Sequence, residues 1–239
     1  MRRIVTSLFI ILLFLCTKTN AQDDNNNSPI SVKADIVSTY LWRGISLSPT
    51  PNIQPTISFS KGKFEVGFWG STDFIGKYKE FDIYASYSIS GFSAILTDYY
   101  SDMSKKYFDY DNKSTGHQIE LALSYELNKI PLQLYVGTII YGADKRCSYY
   151  PNEPDSVLND YSTYIELNYT LEIKQVELQL FAGLTPATGM YGNGFSFINT
   201  GLTATRKIKI TSSYSLPIFA TFAVNPQKQD YFVVFGISL

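Results

Sequence analysis

The chain has 239 residues, of which 45% are hydrophobic, 15% aromatic and 17% charged, and its formal net charge is −1. This composition excludes a disordered polyelectrolyte and a basic nucleic-acid-binding protein, so no nucleic acid is expected as a partner. The chain is instead expected to build a large ordered core or surface.

The N-terminus is typical of a secretory signal peptide, predicted over residues 1–21. Two arginines precede an apolar run that ends at Cys16, and Ala21 supplies a small residue at the cleavage site. The run is about half the ~20 residues that a membrane-spanning helix needs, which argues against an uncleaved anchor. Lipidation of Cys16 is disfavoured because Leu15 stands where a small residue is required.

Cleavage after residue 21 removes three bases and no acid, which leaves 17 bases and 21 acids and a formal charge of −4. Cys147 is then the one remaining cysteine, which excludes an internal disulfide framework and a thiol-rich metal site. No metal and no cofactor are predicted. Residues 22–30 are predicted to be a polar tether, and residues 31–239 the single folded domain.

Beyond the tether, apolar residues recur at every second position, which is the period of a β-strand. Around Leu121, for example, Ile119, Leu121 and Leu123 lie on one face of the predicted strand and Glu120 lies on the other. The same split into an apolar face and a polar face repeats to the C-terminus. The sequence therefore predicts a succession of strands with two different faces.

The connections between the predicted strands decide the type of fold. Twelve strands are predicted, near residues 31–43, 52–60, 63–71, 80–89, 92–100, 117–127, 132–141, 161–171, 175–184, 195–205, 209–224 and 230–239. Tight turns are predicted after every second strand, at residues 61–62, 90–91, 128–131, 172–174 and 206–208. The other connections are longer, and the two longest are residues 101–116 and 142–160.

The alternation of tight and long connections indicates the type of barrel. Outer-membrane barrels have tight periplasmic turns and long external loops, whereas soluble sandwiches do not sort their connections in this way. We therefore predict an all-β, antiparallel, up-and-down transmembrane β-barrel of about twelve strands.

Aromatic residues of the apolar face are predicted to form two girdles at the membrane–water interfaces, because they cluster at the two ends of the strands. The predicted periplasmic girdle contains Phe59, Phe64, Tyr87, Phe92, Tyr125 and Tyr169, and the external girdle contains Tyr40, Trp42, Phe68, Phe81 and Tyr231. One strand interrupts the pattern. Asp98 follows Leu96 on the apolar face, so this strand is expected either to leave the membrane or to change phase there.

The last predicted strand, residues 230–239, ends with the chain and carries an unbroken apolar face. It resembles the segment that outer-membrane barrels present to their assembly machinery. That machinery and the outer-membrane lipid are the predicted partners. Because every strand edge in a bilayer must be paired, this strand is expected to close on the first.

The polar face is predicted to line a lumen that contains eight acids and two bases. These residues are Lys33, Asp35, Arg43, Glu65, Glu80, Asp82, Glu120, Glu126, Glu166 and Glu177. Rings of carboxylates favour cations, so a weakly cation-preferring lumen is predicted. The alternative is that some carboxylates pair with Arg43, Lys33 or a loop lysine and fill the interior, because ~8 strands pack solid whereas ~16 leave a channel.

No catalytic residue is predicted. His117 is the single histidine, and Ile119 stands where a serine on the same face would be needed, so His117 is expected to be a solvated rim residue rather than a catalytic base. Residues 109–120 resemble a calcium-binding loop. The resemblance fails at Lys113 and Ser114, the fifth and sixth positions, where a ligand and a glycine are required.

Three segments resemble the opening of the TorF family of porins from Gram-negative bacteria: VSTYLWRGIS at 37–46, NIQP at 52–55 and GFWGS at 67–71. A hairpin with Leu-Pro and Asn-Pro pairs at 216–226 resembles the closing segment of Bacteroidetes members. The resemblance implies a barrel and a pore in the outer membrane of a Gram-negative, Bacteroidetes-type cell. It brings no catalytic residue and no cofactor.

The predicted function is a passive outer-membrane channel for small polar solutes. Two alternatives stay open. One is a non-conducting structural or accessory barrel that partners a larger envelope complex. The other is a lipid-modifying enzyme centred on His117, which the sequence favours least. Fold alone does not separate them, because one architecture supports many functions.

Overall fold

A computed structural model describes residues 28–146, 152 and 158–239. The predicted signal peptide, most of the predicted tether and Cys147 lie outside the described residues, so these assignments stay predictions. Every regular element of appreciable length in the described residues is a β-strand. Among these same residues, no helix is long and apolar enough to cross a bilayer.

Twelve strands form a closed barrel, and two more form a separate small sheet. The strands are β1 (Ile30–Val37), β2 (Tyr40–Trp42), β3 (Ile45–Ser48), β4 (Asn52–Lys61), β5 (Phe64–Asp73), β6 (Lys79–Ile89), β7 (Phe92–Tyr100), β8 (His117–Glu126), β9 (Leu132–Gly142), β10 (Thr163–Ile173), β11 (Val176–Thr185), β12 (Ser196–Lys209), β13 (Ser215–Asn225) and β14 (Asp230–Ser238). Neighbours in the barrel wall are antiparallel and, apart from β2 and β3, follow one another in sequence. The predicted all-β, up-and-down barrel of about twelve strands is confirmed.

The barrel closes because β14 pairs with β1, as predicted. Ile36 lies opposite Ile237 in this seam, and the backbone N–H of Leu239 donates to the carbonyl oxygen of Ala34 at 2.8 Å. Closure leaves no strand edge in the wall, so the backbone groups of both terminal strands are hydrogen-bonded. The tight turns lie at one end of the barrel, here called the turn end, and the long connections lie at the other, here called the loop end.

The two faces of the wall differ in polarity because successive side chains of a strand point to opposite sides. On β8, Leu121 points outward and is 43% exposed, whereas its neighbour Glu120 points inward and is 1% exposed. The outer face repeats this apolar character on every strand of the wall, with exposed residues such as Phe222 on β13 and Leu167 on β10. The barrel thus has an apolar outer surface and a polar interior.

Most of the predicted girdle residues lie on the outer face. Phe59, Phe64, Phe68, Phe81, Phe92, Tyr125, Tyr169 and Tyr231 are exposed, and the ring of Tyr87 contacts that of Phe64 at 4.8 Å. Their role at a membrane interface stays a prediction.

The first predicted strand, residues 31–43, is wrong in its second half. β1 ends at Val37, and the chain bends at Ser38 and Thr39 before it forms β2 and β3. In one continuous strand Tyr40 and Trp42 would share the outward phase of Ile36. The bend resets this alternation and turns both side chains into the barrel, so neither belongs to an outer girdle.

The predicted turn at residues 206–208 is also wrong, because β12 continues to Lys209 and the turn follows at residues 210–214. The basic residues around position 207 look like a turn in the sequence. Ala204, Arg206 and Ile208 nevertheless keep the period of two, and Arg206 lies opposite Val176 and Ile218. Arg206 is therefore a charged residue on the outer face of the wall.

Asp98 keeps the phase of β7 and stays on the outer face, opposite Ile119, so a change of phase does not occur. Residues 101–116 fold back over this part of the wall. The carboxylate of Asp98 contacts Nδ1 of His117 at 2.8 Å and accepts a hydrogen bond from the Tyr110 hydroxyl at 2.8 Å. Burial and this hydrogen bond raise the pKa of the Tyr110 phenol.

His117 is 0% exposed, which corrects the expectation of a solvated rim residue. Its ring stacks on Tyr110 with 4.1 Å between the centroids, and Nε2 contacts the carbonyl oxygen of Tyr107 at 2.5 Å. The physical reason is the position of the 101–116 loop, which supplies both partners and covers the imidazole. His117 thus anchors this loop to the wall.

Replacing His117 with Ala is predicted to release the 101–116 loop from the barrel. The substitution removes a hydrogen bond to the carboxylate of Asp98 and another to the backbone carbonyl oxygen of Tyr107. A bond to a charged group contributes about 1.5–3 kcal/mol, and one to a neutral carbonyl about 0.5–1.5 kcal/mol. Trypsin should therefore cut at Lys105 or Lys106 at least tenfold faster, while the barrel itself stays folded. Met103→Ala in the same loop, whose side chain is half exposed, is the matched control and should keep wild-type cleavage. Equal cleavage of His117→Ala and wild type would contradict the anchoring role.

Candidate functional site: a hairpin across the barrel interior

β2 and β3 form a hairpin inside the barrel, here called the lumen hairpin and comprising residues 40–48. Near its base, Tyr40 packs on Trp69 of β5 with 5.4 Å between the ring centroids. At its tip, Asn225 Nδ2 of β13 donates to the carbonyl oxygen of Gly44 at 3.0 Å. On the shorter side of the ring, three strands (β4, β1 and β14) separate β5 from β13. Arg43 at the tip also reaches Glu120 on β8. The hairpin therefore extends across the interior.

The tip of the hairpin is a two-residue turn that the sequence encodes locally. Arg43 and Gly44 have positive φ angles of 50° and 74°, the combination required by a type I′ turn. Glycine is needed at the second position for a further reason. A Cβ atom on Gly44 would lie 1.9 Å from the carbonyl oxygen of Ile198 on β12, so the tip sits directly against the backbone of the wall.

Arg43 forms a two-pronged ion pair with Glu120 on the far wall. Its Nη1 lies 2.5 Å from Oε2 of Glu120, and its Nη2 lies 2.8 Å from Oε1. Nη1 also donates to the hydroxyl of Tyr191 at 2.5 Å, and Nη2 to that of Tyr135 at 2.7 Å. Both charged side chains are buried. Burial of a charge pair is costly unless hydrogen bonds satisfy its remaining atoms, which these tyrosines help to do.

Four aromatic rings surround the guanidinium group. Its central carbon lies 4.6 Å from the ring centroid of Trp42, 4.8 Å from that of Tyr164, 5.3 Å from that of Tyr135 and 5.5 Å from that of Tyr191. A cation within about 6 Å of an aromatic face is attracted by the ring electrons, and the attraction is strongest when water is excluded. Arg43 is thus held by both the carboxylate and the rings.

The barrel is packed at the level of this ion pair. Glu120, Tyr164, Tyr191 and Ile198 are each at most 2% exposed, although all lie inside the ring of strands. Gly137 of β9 makes room for Glu120, because a Cβ atom there would lie 2.7 Å from its carboxyl carbon. The lumen hairpin and its contacts therefore fill this cross-section of the interior.

The other residues predicted to line the lumen occupy different depths. Lys33, Glu126 and Glu177 are exposed, Asp35, Glu65 and Glu166 are half-buried, and Glu80 and Asp82 are buried. The exposed members lie near the turn end, so the interior is open to solvent there. Their function as a pore lining stays a prediction.

Several of these carboxylates bind neutral partners on the wall. Glu166 accepts hydrogen bonds from the hydroxyl of Tyr164 and, at 3.0 Å, from Asn199 Nδ2. Glu65 accepts one from the Tyr84 hydroxyl at 2.9 Å. Among the predicted lumen residues, a direct ion pair joins Arg43 to Glu120. The sequence left open whether some interior carboxylates pair with Arg43, and for Glu120 the structure shows this pairing.

Sequence reasoning missed the tyrosines that hold Arg43. Tyr99, Tyr135 and Tyr164 each alternate with outward-facing residues and so lie on the inner face of their strands. The Tyr99 hydroxyl donates to Glu120 at 3.2 Å. The sequence did contain a sign of them, because these large tyrosines alternate with outward-facing residues and most other residues of the polar face are small or charged. Large side chains on the inner face indicate a filled interior rather than a wide one.

In the loop that resembles a calcium site, the carboxylates accept hydrogen bonds from the loop itself. Hydrogen bonds from the Ser114 hydroxyl and the Asp111 backbone N–H hold the pKa of Asp109 below its ordinary value. In the part of the chain that the structure describes, no three His, Cys, Asp or Glu side chains are grouped so as to hold a metal ion.

Comparison with known proteins finds a likeness among solved structures. No family model matches the chain, and no curated protein matches it. Among solved structures, it is similar to a porin refined at 1.8 Å resolution, with a TM-score of 0.37 and 12% sequence identity. The match covers 81% of this chain and spans 63% of the length of that porin.

Replacing Gly44 with Ala is predicted to displace the tip of the lumen hairpin, because the new methyl group would overlap the Ile198 carbonyl oxygen. Trp42, measured by fluorescence in a Trp69→Phe background, should then shift to longer wavelength and be quenched by acrylamide severalfold more strongly.

The matched control is Gly62→Ala at the turn end. Gly62 also has a positive φ, 64°, but a Cβ atom added there would meet nothing within 4 Å. It carries the same kind of backbone strain, about 1 kcal/mol, without the clash. Unchanged Trp42 emission in Gly44→Ala would show that the tip does not sit against β12.

Proposed function

We propose that the chain is an outer-membrane β-barrel of the TorF type from a Gram-negative, Bacteroidetes-type cell, and that it acts as a channel for small polar solutes. In this proposal the lumen hairpin is the constriction. The observation that carries it is that the interior is closed by an element that is not part of the wall. Removing a hairpin would open a passage without breaking the strand ladder.

The outer surface supports the location in a membrane. Large apolar side chains, among them Leu96, Leu121 and Phe222, are half-exposed around the wall. A contiguous apolar belt of this kind is unfavourable in water but fits the acyl chains of a bilayer. The barrel assembly machinery is the partner proposed for β14 before it pairs with β1.

The distribution of charge supports a weak preference for cations. Toward the turn end the inner face carries more acids than bases. The acids are Glu65, Glu126, Glu172 and Glu177, and the bases are Lys33, Lys207 and Lys209. Carboxylates on the wall of a narrow, water-filled passage concentrate cations. Arg43 does not offset this effect, because Glu120 neutralises it.

The second candidate function is a non-conducting structural or accessory barrel of an envelope complex. The observation that favours it is the dense packing around Arg43, where the inner side chains are almost inaccessible to solvent. The third candidate, an enzyme centred on His117, receives less support. Both ring nitrogens of His117 contact protein atoms beneath a loop, an arrangement that holds a loop rather than one that offers a base to a substrate.

Single-channel recording in planar bilayers tests the channel. Wild-type protein should show rare or small current steps, because the hairpin closes the lumen. Arg43→Gln breaks the buried ion pair, a loss of about 3–5 kcal/mol, and should raise the open probability severalfold. Lys77→Gln in an external loop is the control and should behave as wild type. If Arg43→Gln and a variant with residues 40–48 replaced by a Gly-Ser linker are both folded and silent, the non-conducting barrel is correct.

The cation preference is tested by the reversal potential of the linker variant in a salt gradient. We expect a modest cation preference that decreases when Glu65 and Glu126 are both replaced by Gln, since each substitution removes an inner carboxylate. Replacing the loop residue Asp102 with Asn should leave the reversal potential unchanged. A preference for anions would contradict the proposed lining.

A further inference from the structure

We propose that Lys174 and Arg206 form a site for the phosphate of a membrane phospholipid on the outer face of the barrel at the turn end. The inference rests on the proposed membrane location and goes beyond the proposed channel. It starts from a cavity of about 540 Å³ between the β10–β11 turn and β12. The cavity is lined by Ile173, Lys174, Gln175, Val176, Leu178 and Arg206.

The register of the strands places this cavity outside the barrel. Val176 of β11 lies opposite Arg206 of β12, and Leu178 lies opposite Ala204. Side chains of paired residues share a face, and this face also carries the exposed residue Ile173. Arg206 therefore points away from the lumen, from a position inside the strand rather than in a turn.

The cationic groups of the cavity are not neutralised by the acids of the same hairpin. Glu172 and Glu177 lie directly opposite each other, on the face that alternates with Ile173 and Val176. They consequently point into the barrel. Arg206 Nη2 donates to Gln175 Oε1 at 3.3 Å, a neutral partner. The outer side of this hairpin thus presents two positive charges beside an apolar wall.

This combination fits a ligand with an anionic phosphate and an acyl chain. The guanidinium group of Arg206 matches two phosphate oxygens at once, and the Lys174 ammonium adds a second positive charge. Val176, Leu178 and Ile173 offer contact to the first methylenes of the chain. The volume lies in the range of ordinary small-molecule sites. A free phosphate ion would leave the apolar half of the cavity unused, so a phospholipid is the occupant that the lining favours.

Native mass spectrometry of the delipidated full-length protein tests the site. Phosphatidylglycerol, diacylglycerol with the same chains, and inorganic phosphate are offered separately. Wild type should retain phosphatidylglycerol well above diacylglycerol. Each lost cation should weaken retention about fivefold, and Lys174→Gln with Arg206→Gln about thirtyfold. Arg206→Lys, which keeps the charge, should restore most of the binding.

The matched control is Lys207→Gln with Lys209→Gln. These residues lie on the same strand but alternate with Arg206 and Ile208, so they face inward, and their replacement should leave lipid retention unchanged. Equal retention of phosphatidylglycerol by wild type and the Lys174/Arg206 double variant would overturn the proposal. So would equal retention of diacylglycerol and phosphatidylglycerol, or phosphate binding that depends on these residues without any binding of lipid.

The lipid-retention experiment can succeed or fail independently of the test for channel conductance. A silent barrel that retains phosphatidylglycerol through Lys174 and Arg206 would refute conduction and support the lipid site. A wild-type protein that stays soluble without detergent and retains no lipid would refute both the membrane location and this site.

Discussion

The closed hydrogen-bond ladder of the wall is the constraint on which the rest of the structure depends. β14 returns to β1, so the backbone groups at both ends of the sheet are paired and no strand edge is left. In a closed barrel, each side chain of the wall points either outward or into the interior. The apolar belt, the interior carboxylates and the sorting of turns from loops all follow from that division.

The interior is filled by an insertion rather than by the wall. The lumen hairpin leaves the wall after Val37, crosses the lumen and delivers Arg43 to Glu120. A buried ion pair contributes little to stability on balance, because desolvation offsets most of the attraction. Breaking one partner away is nevertheless costly. Such a contact is therefore well suited to hold one position of a hairpin, and the rings around Arg43 and the close approach of Gly44 to Ile198 define that position further.

The outer face departs from its apolar character at two informative places. At the loop end, Asp98 is hydrogen-bonded to His117 and Tyr110 beneath the 101–116 loop, so its charge does not face the surroundings directly. At the turn end, Arg206 is exposed beside Lys174 and an apolar cavity. The acid is covered by the protein itself, whereas the bases are left available to a ligand. That difference is what a bilayer with anionic phosphate at its surface would favour.

The sequence by itself determined the twelve strands of the wall, their two faces and the alternation of short and long connections. It could do so because the face on which a strand residue lies depends only on whether its position in the strand is odd or even. It also indicated that Arg43 and Glu120 share the polar interior. It did not determine that Tyr40 and Trp42 turn inward. A bend at Ser38 and Thr39 shifts the alternation of inward and outward side chains, and the residue pattern of this segment does not indicate a bend. Only the tertiary structure decided which carboxylate Arg43 meets and which loop covers His117. Those contacts join residues 77 and 10 positions apart in the chain. They form because closure of the barrel and folding of the 101–116 loop bring the partners together. A pattern of neighbouring residues does not indicate which distant residues will be in contact.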